Sequence, residues 1–394
     1  MYIYTKADLE SFSKRVNNGE TTLCAKLMND IVWNEGTFAD DGKFTKKDGL
    51  TSTPEEWTPI GNSSNKYTGT FDGNGHTIKG LYINSGSGNV GLFGYVGSGG
   101  KVQNVGVIDG YIKGNYSVGG VCGENSGTIE NCYNTGTVSG SGDYVGGVCG
   151  ENKGTIENCY NTGYVSGKSA VGGICGCVSD SGFNVVQSYN TGTVSGYISI
   201  GGVFGKVESY NGKVTNCYNT GNISGTTAVG GVFGEDTIIT VPGVISHLVV
   251  EKCYNVGKVS GSLNVGGVIG IDGSSTVWNC FYNSEACGVN EAIGNKMMYR
   301  GSVKGLTTTQ MTGTTEVGRA GESMKEIIGD GSVWNVKEDD NDYAYYPHLK
   351  EFTNSEDWPP KVQLGGKVTF NANGGTGSSS TFTCLLYTSD AADD

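Results

Sequence analysis

A six-residue motif, Val-Gly-Gly-Val-Cys-Gly, occupies Val118–Gly123 and returns at near-constant spacing. It recurs at Val145–Gly150, at Val171–Gly176 with Ile174 in the fourth place, and at Ile200–Gly205, Val229–Gly234 and Val265–Gly270. A shorter form stands at Val90–Gly94. Successive starts from Val118 lie 27, 26, 29, 29 and 36 residues apart. A second motif, Asn131-Cys132-Tyr133-Asn134-Thr135-Gly136, interleaves with the first and returns at 158–163, 187–192, 216–221 and 252–257, then decays at Asn279–Asn283. A repeat this short cannot bury its own inner face, so its stability must come from stacking on its neighbours. Each repeat holds three short strand candidates separated by glycine or polar turn residues: Thr128–Tyr133, Gly136–Ser139 and Tyr144–Cys149 in the first full copy. No stretch has the length or the 3.6-residue period of a crossover helix. The pattern predicts an all-β fold, a right-handed parallel β-helix (β-solenoid) of about 27–29-residue three-strand coils. Each strand would pair with its copy about 4.8 Å along the axis.

Aligning the copies separates inward from outward positions. Three columns are apolar in every copy: Ile129, Ile156, Val185, Val214, Val250, Val277; Val121, Val148, Ile174, Val203, Val232, Val268; and Val138, Val165, Val194, Ile223, Val259. The column Glu130, Glu157, Val186, Thr215, Glu251, Trp278 is mixed, as a solvent face is. Asn134, Asn161, Asn190, Asn219 and Asn255 form an asparagine column, whose amides can hydrogen-bond from coil to coil. Paired glycines such as Gly119-Gly120 fit a bend where a side chain would clash or φ must be positive. At the start, Thr5 to Asn18 has the signature of a helix: Thr5 as cap, Asp8 three residues on, Leu9, Phe12 and Val16 on one face, and Gly19 as stop. Laid over the open end, it would cover the strand edges of the first coil. After Asn283 the repeat dissolves into helix-like patches and the aromatic Tyr343–Pro347, which predicts a mixed C-terminal cap.

The formal net charge is −13 and the pI about 4.8, which argues against a nucleic-acid partner or docking to an anionic membrane. No apolar run approaches the roughly 20 residues of a membrane-spanning helix, so no membrane insertion is expected within this stretch. The opening Met1–Lys6 leads straight into a polar segment, with no apolar core of a secretory signal.

The chemistry-bearing residues fall into the same columns. Cys122, Cys149 and Cys175 alternate with Phe93, Phe204, Phe233 and Ile269, and Cys132, Cys159, Cys217, Cys253 and Cys280 form another column with Ser188 in the gap. Both fit core thiols, since buried free Cys behaves as a small hydrophobe. Disulfides between adjacent coils are the alternative, and Cys175-Gly176-Cys177 alone is weak as a metal motif. His76, His247 and His348 are scattered, with no His-Glu-x-x-His. Glu124 and Glu151 repeat one turn position, and Glu130 and Glu157 one strand position. Such a patch suits a solvated acidic face, or a cation. No catalytic, cofactor-binding or metal-binding residue is expected, and no cofactor. The column Tyr133, Tyr160, Tyr189, Tyr218 and Tyr254 is the possible ligand-contact site: exposed it would stack on sugar rings or a partner's apolar surface, inward it would be an aromatic core.

These motifs resemble the GLUG-motif family of bacterial repeat proteins over about residues 1 to 350. The entry segment Trp57-Thr58-Pro59-Ile60-Gly61 with Phe71–Leu81, and the closing Leu306-Thr307-Thr308-Thr309-Gln310-Met311, are similar to that family's opening and end. The resemblance implies a non-enzymatic cell-surface or secreted repeat protein, an adhesin or stalk scaffold. Its extracellular partners would be host or microbial surface glycans or proteins, and the chain would be a monomer. Some members belong to large secreted immunoglobulin-cleaving metallopeptidases. The alternative is therefore an accessory repeat region of a larger secreted enzyme, metallopeptidase or polysaccharide-active, whose catalytic domain lies elsewhere. Lys367–Thr376 resembles the start of a Listeria–Bacteroides repeat, preceded by a Trp358-Pro359-Pro360 linker. The last eleven residues, Cys384–Asp394, resemble the translation of a sequencing-library adapter. The expected division is residues 1–88 for the N-terminal cap and first coils, 89–283 for the repeats, 284–357 for the C-terminal cap, 358–383 for linker and truncated repeat, and 384–394 for the adapter-like tail.

Overall fold

The computed structural model describes residues 1–352 apart from 40, 51, 210, 237–246, 274, 297–299, 313–322 and 337–342, and beyond them 362–363, 368–369 and 381–382. The chain divides into two units, Met1–Gly305 and Leu306–Asp394.

The first unit is the predicted right-handed parallel β-solenoid. Identical positions of successive repeats pair in register: Ile129 with Ile156, Ile156 with Val185, Val185 with Val214, Val214 with Val250, and Val250 with Val277. Side chains alternate across a strand, so this register puts every residue beside its own copy. The three apolar columns all point inward, none of their members more than 2% exposed. Val259 and Ile223 still pair in register although 36 residues separate them. A longer coil is accommodated between strands because the rungs are fixed by the strands alone.

Each coil is more finely divided than three strands. Around the first full copy the strands are Thr128–Glu130, Tyr133–Asn134, Thr137–Gly140, Asp143–Gly146 and Cys149–Asn152. The break after Glu130 is made by Asn131, which is left-handed at φ 52°. Asn74, Asn104, Asn158, Asn216 and Asn279 repeat that conformation at the same corner, with Gln187 and Lys252 in the remaining coils. Asparagine tolerates this region better than other residues with a side chain. The expected long first strand is therefore two strands meeting at a corner.

The N-terminal helix runs Lys6–Asn17. The Thr5 hydroxyl accepts from the Asp8 N–H at 3.2 Å, and the Asp8 carboxylate accepts from the Thr5 N–H at 3.0 Å, a reciprocal capping box. Leu9, Phe12 and Val16 are fully buried, with the Phe12 ring 5.8 Å from Tyr67 and 5.7 Å from Phe71. Gly19 ends the helix at φ 111°. Thr5→Ala is expected to lower stability by about 1 kcal/mol, the usual worth of a cap; urea unfolding with unchanged m-value is the check. Next to the helix, Tyr2–Ile3 pairs with Ala25–Leu27, which pairs with Thr70–Asp72 and extends the stack. An antiparallel hairpin, Gly36–Phe38 with Phe44–Lys46, lays Phe38 on Tyr82 and Tyr111 at 5.4 and 6.2 Å.

In the second unit Thr308–Met311 forms a helical turn capped by Thr307 and Gln310, and Lys325–Ile328 forms another. Short antiparallel pairs join Trp334–Asn335 to His348–Leu349 and Tyr343–Ala344 to Val362–Gln363. The Listeria–Bacteroides-like segment and the adapter-like tail lie outside the described residues, apart from the pair Val368–Thr369 with Thr381–Phe382.

Candidate functional site

The tyrosine column is a continuous ring stack. Centroids are 4.6 Å apart from Tyr133 to Tyr160, 5.0 Å to Tyr189, 4.8 Å to Tyr218 and 5.2 Å to Tyr254, with planes within 6° of parallel. Register dictates this: copies on adjacent rungs lie about 4.8 Å apart, near the stacking distance of aromatic rings. Below Tyr133 the next rung is Gly106, over which the Tyr133 ring folds; above Tyr254 it is Phe281. Tyr133 and Tyr160 are half-buried, whereas Tyr189, Tyr218 and Tyr254 are wholly buried. Accessible aromatic surface in this column is thus confined to its first two rings.

One residue along each turn runs the asparagine column, entirely buried. The Asn134 amide donates to Asn161 Oδ1 at 2.8 Å, Asn161 to Asn190 at 2.9 Å, Asn190 to Asn219 at 2.8 Å, and Asn219 to Asn255 at 2.7 Å. The second amide hydrogen goes to the carbonyl two residues on, as from Asn190 to Gly192 at 2.7 Å. Each amide is both donor and acceptor along the axis, so the buried polar chain is satisfied internally. The column is a structural brace that presents nothing to a ligand.

Three of the repeated acids, Glu124, Glu151 and Glu130, are paired to lysines. Lys153 Nζ bridges Glu124 and Glu151 at 3.1 Å each, and Lys66 Nζ reaches Glu124 at 3.1 Å. Asn89 also donates to Glu124, at 3.2 Å, and Ser179 to Glu151, at 2.6 Å. Burial disfavours the Glu124 carboxylate, but Lys153 and Lys66 outweigh it and hold the group below its ordinary range. Further along the same face Tyr144 donates to Glu208 at 3.0 Å and Lys206 sits 2.8 Å from Glu208. Lys101 pairs with Glu130 at 2.7 Å. Lys153 and Lys206 are held protonated by these acids against the pull of burial, so neither is poised as a general base.

All the repeat cysteines are buried and free of disulfides. Burial pushes the thiols of Cys149, Cys159, Cys217 and Cys280 up. The exposed thiol among the described residues is Cys24. Alkylation of the native protein followed by peptide mass spectrometry is expected to label Cys24 within minutes while Cys122 to Cys287 require denaturant; rapid native labelling of the repeat cysteines would contradict a closed core. His76 lies 3.3 Å from Asp30 at the surface, and burial lowers His348 to about 4. The side chain of His247 lies outside the described residues. Among the described residues no group of three or more His, Cys, Asp or Glu is placed to hold a metal, and no helix is long and apolar enough to cross a membrane.

One pair escapes the repeat logic. Asp236 and Asp272 are buried on neighbouring rungs, in the column that holds Asn125 and Asn152 lower down. A carboxylate in a column of amides and valines was the available signal, visible once the copies are aligned.

Comparisons with known proteins agree with this geometry. Residues 114–139 match the GLUG motif family. The chain is 44% identical over 85 residues to halomucin of Haloquadratum walsbyi, a match spanning 21% of this chain and 1% of that protein. It is 40% identical over 79 residues to a protein of Evansella cellulosilytica named provisionally as a Gly-rich membrane protein, spanning 19% of this chain and 9% of the relative. The chain therefore spans a small fraction of the curated relatives it matches. A crystal structure from Bacteroides ovatus, named provisionally as an immunoglobulin A1 protease, superposes with a TM-score of 0.53 over 89% of this chain and 91% of that one, at 20% identity, a likeness of fold. This chain is a repeat protein that carries the GLUG motif on a parallel β-solenoid.

Proposed function

We propose that the chain is a non-enzymatic scaffold of a bacterial surface or secreted repeat protein, acting as a stalk or an adhesin. The observation that carries this reading is where the polar chemistry goes. The asparagine column is spent inside the coil, and Glu124 and Glu151 are paired to lysines, Glu124 across coils to both Lys66 and Lys153. Rungs that brace one another suit a rod. The names of the two relatives, halomucin and a Gly-rich membrane protein, fit a surface setting. Binding would fall on shallow faces, with Tyr133 and Tyr160 as the accessible part of the tyrosine column and surface glycans or proteins as ligands.

Two measurements test the reading. Antibodies to the solenoid should label intact producing cells or their culture medium; labelling only after lysis would sink it. The purified chain should then be applied to arrays of glycans and extracellular proteins. An adhesin gives a signal that Tyr133→Ala with Tyr160→Ala reduces several-fold, whereas a spacer gives none. The second reading is an accessory region of a larger secreted enzyme. It is consistent with the name of the Bacteroides ovatus protein, and a catalytic domain in the full-length gene product would favour it.

A further inference from the structure

The N-terminal cap contains a cleft of about 650 Å³, lined from the start of the helix, from the antiparallel hairpin and from the segment around Glu55. That size falls within the roughly 300–1,000 Å³ of small-ligand sites. Its floor is tied down by the chain itself. Trp33 Nε1 donates to Glu55 O at 3.0 Å, and the Trp33 ring meets Trp57 edge-on with centroids 4.7 Å apart. The Asn34 amide donates to Glu55 O and to Gly80 O at 2.9 Å each, and its oxygen accepts from the Glu55 N–H at 2.8 Å. Lys6 Nζ lies 4.3 Å from the centre of the Trp33 ring, donates to Trp33 O at 2.7 Å and pairs with Glu55 at 2.6 Å. A floor held this way needs little ordering when a ligand arrives.

The rim carries the chemistry that is left over. Lys47 and Glu35 pair with each other at 3.2 Å. Lys46 and Asp48, both exposed and only one residue apart, stand in no ion pair among the described residues. Asp48 spends one oxygen on the Leu50 N–H at 3.0 Å. Ser52, in the same wall, has its hydroxyl buried with no hydrogen-bond partner among the described residues. An ammonium, a carboxylate oxygen and a hydroxyl are thus unspent at one cleft, beside the apolar ring of Phe44.

This set selects among ligands. A lysine donates to a carboxylate, an aspartate accepts from hydroxyls, and an aromatic ring takes the C–H face of a sugar. A neutral sugar would leave Lys46 without a counter-charge. A dianionic phosphate would bring its charge against Glu35, Asp48 and Glu55 with one unpaired lysine to offset it. The net charge of −13 opposes non-specific capture of polyanions, so an acidic ligand must be held locally. Glu35, Lys46 and Lys47 also line a second cleft of about 540 Å³ with Val32, Thr37 and Lys79, room for a further ring of a chain.

We propose that the cap cleft binds a carboxylated sugar of a glycan, with Lys46 pairing to the carboxylate, Asp48 and Ser52 taking ring hydroxyls and Phe44 backing the ring. The site is separate from Tyr133 and Tyr160 and is built from residues of the cap alone. It stands whether the solenoid is a stalk, an adhesin or the accessory arm of an enzyme.

Isothermal titration of the full chain tests this with disaccharides of glucuronic and galacturonic acid and with sialyllactose. The neutral counterparts and inorganic phosphate run alongside. At least one carboxylated sugar should bind at a single site, about tenfold more tightly than its neutral counterpart, the worth of one charge-assisted hydrogen bond. Lys46→Met should cost about tenfold in that affinity, and Lys46→Arg should keep most of it. Ser52→Ala should weaken binding several-fold. Lys46→Gln repeats the neutralisation should the methionine variant fail to fold. Tyr133→Ala with Tyr160→Ala should leave the titration unchanged, which separates this site from the tyrosine column. No binding of any carboxylated sugar, equal binding of the neutral sugars or of phosphate, or full affinity after Lys46 is neutralised would each overturn the proposal.

Discussion

Asn190→Asp is expected to destabilise the solenoid by about 3–5 kcal/mol at pH 7, and by only about 1–2 kcal/mol near pH 4. The Asn190 amide donates to Gly192 O at 2.7 Å and to Asn219 Oδ1 at 2.8 Å, and its oxygen accepts from Asn161 at 2.9 Å. A carboxylate keeps the last contact and turns the first two into oxygen facing oxygen, at a position with no exposed surface. The new acid has its folded pKa raised by burial and by those acceptors. Its folded state is therefore least penalised below the unfolded value, where the protonated group regains one donor, and penalised increasingly as pH rises. Paired urea titrations of wild type and variant at the two pH values read the difference directly. An equal loss at both would mean that the ladder matters for its shape and not for its donors.

Gly202→Ala is expected to lower stability by about 3 kcal/mol or more, the upper end of what overpacking produces. The added methyl would lie 2.2 Å from Gly231 O and 2.4 Å from Asn219 Cγ. Neither can give way, since the carbonyl belongs to the next rung and the amide to the ladder. The backbone of Gly202 is not left-handed, so space alone excludes a side chain. Gly86→Ala is the control. Its backbone is likewise not left-handed and a methyl there meets nothing within 4 Å, so the change should stay within about 0.5 kcal/mol. Thermal unfolding of both variants separates the two cases, and comparable shifts would show that glycine acts here through backbone freedom instead of space.

Much of the fold is legible without coordinates because the coil pairs each residue with its own copy. A property of a column is then a property of one alignment position. The inward valines and isoleucines, the asparagine ladder, the buried thiols and the glycine bends all follow from reading down columns. The capping helix is equally local: Thr5, Asp8 and Gly19 announce both its ends. The corners at Asn131 and its copies were less legible: Glu130 and Asn131 interrupt the alternation of Thr128–Tyr133, but periodicity does not register a single left-handed residue.

What the sequence by itself determined is therefore the solenoid, its period and its inner faces, because in-register stacking makes them repeat-local. What only the tertiary structure decided are contacts between non-equivalent positions. Lys66 meets Glu124 and Tyr144 meets Glu208 through the angle of a corner and the reach of a side chain, neither of which a repeat alignment contains. The same holds for the tyrosine column, half-buried at Tyr133 and Tyr160 and wholly buried from Tyr189 onward, although the five positions are identical in sequence. Burial depends on everything that surrounds a ring, whereas periodicity reports only which copies lie beside one another.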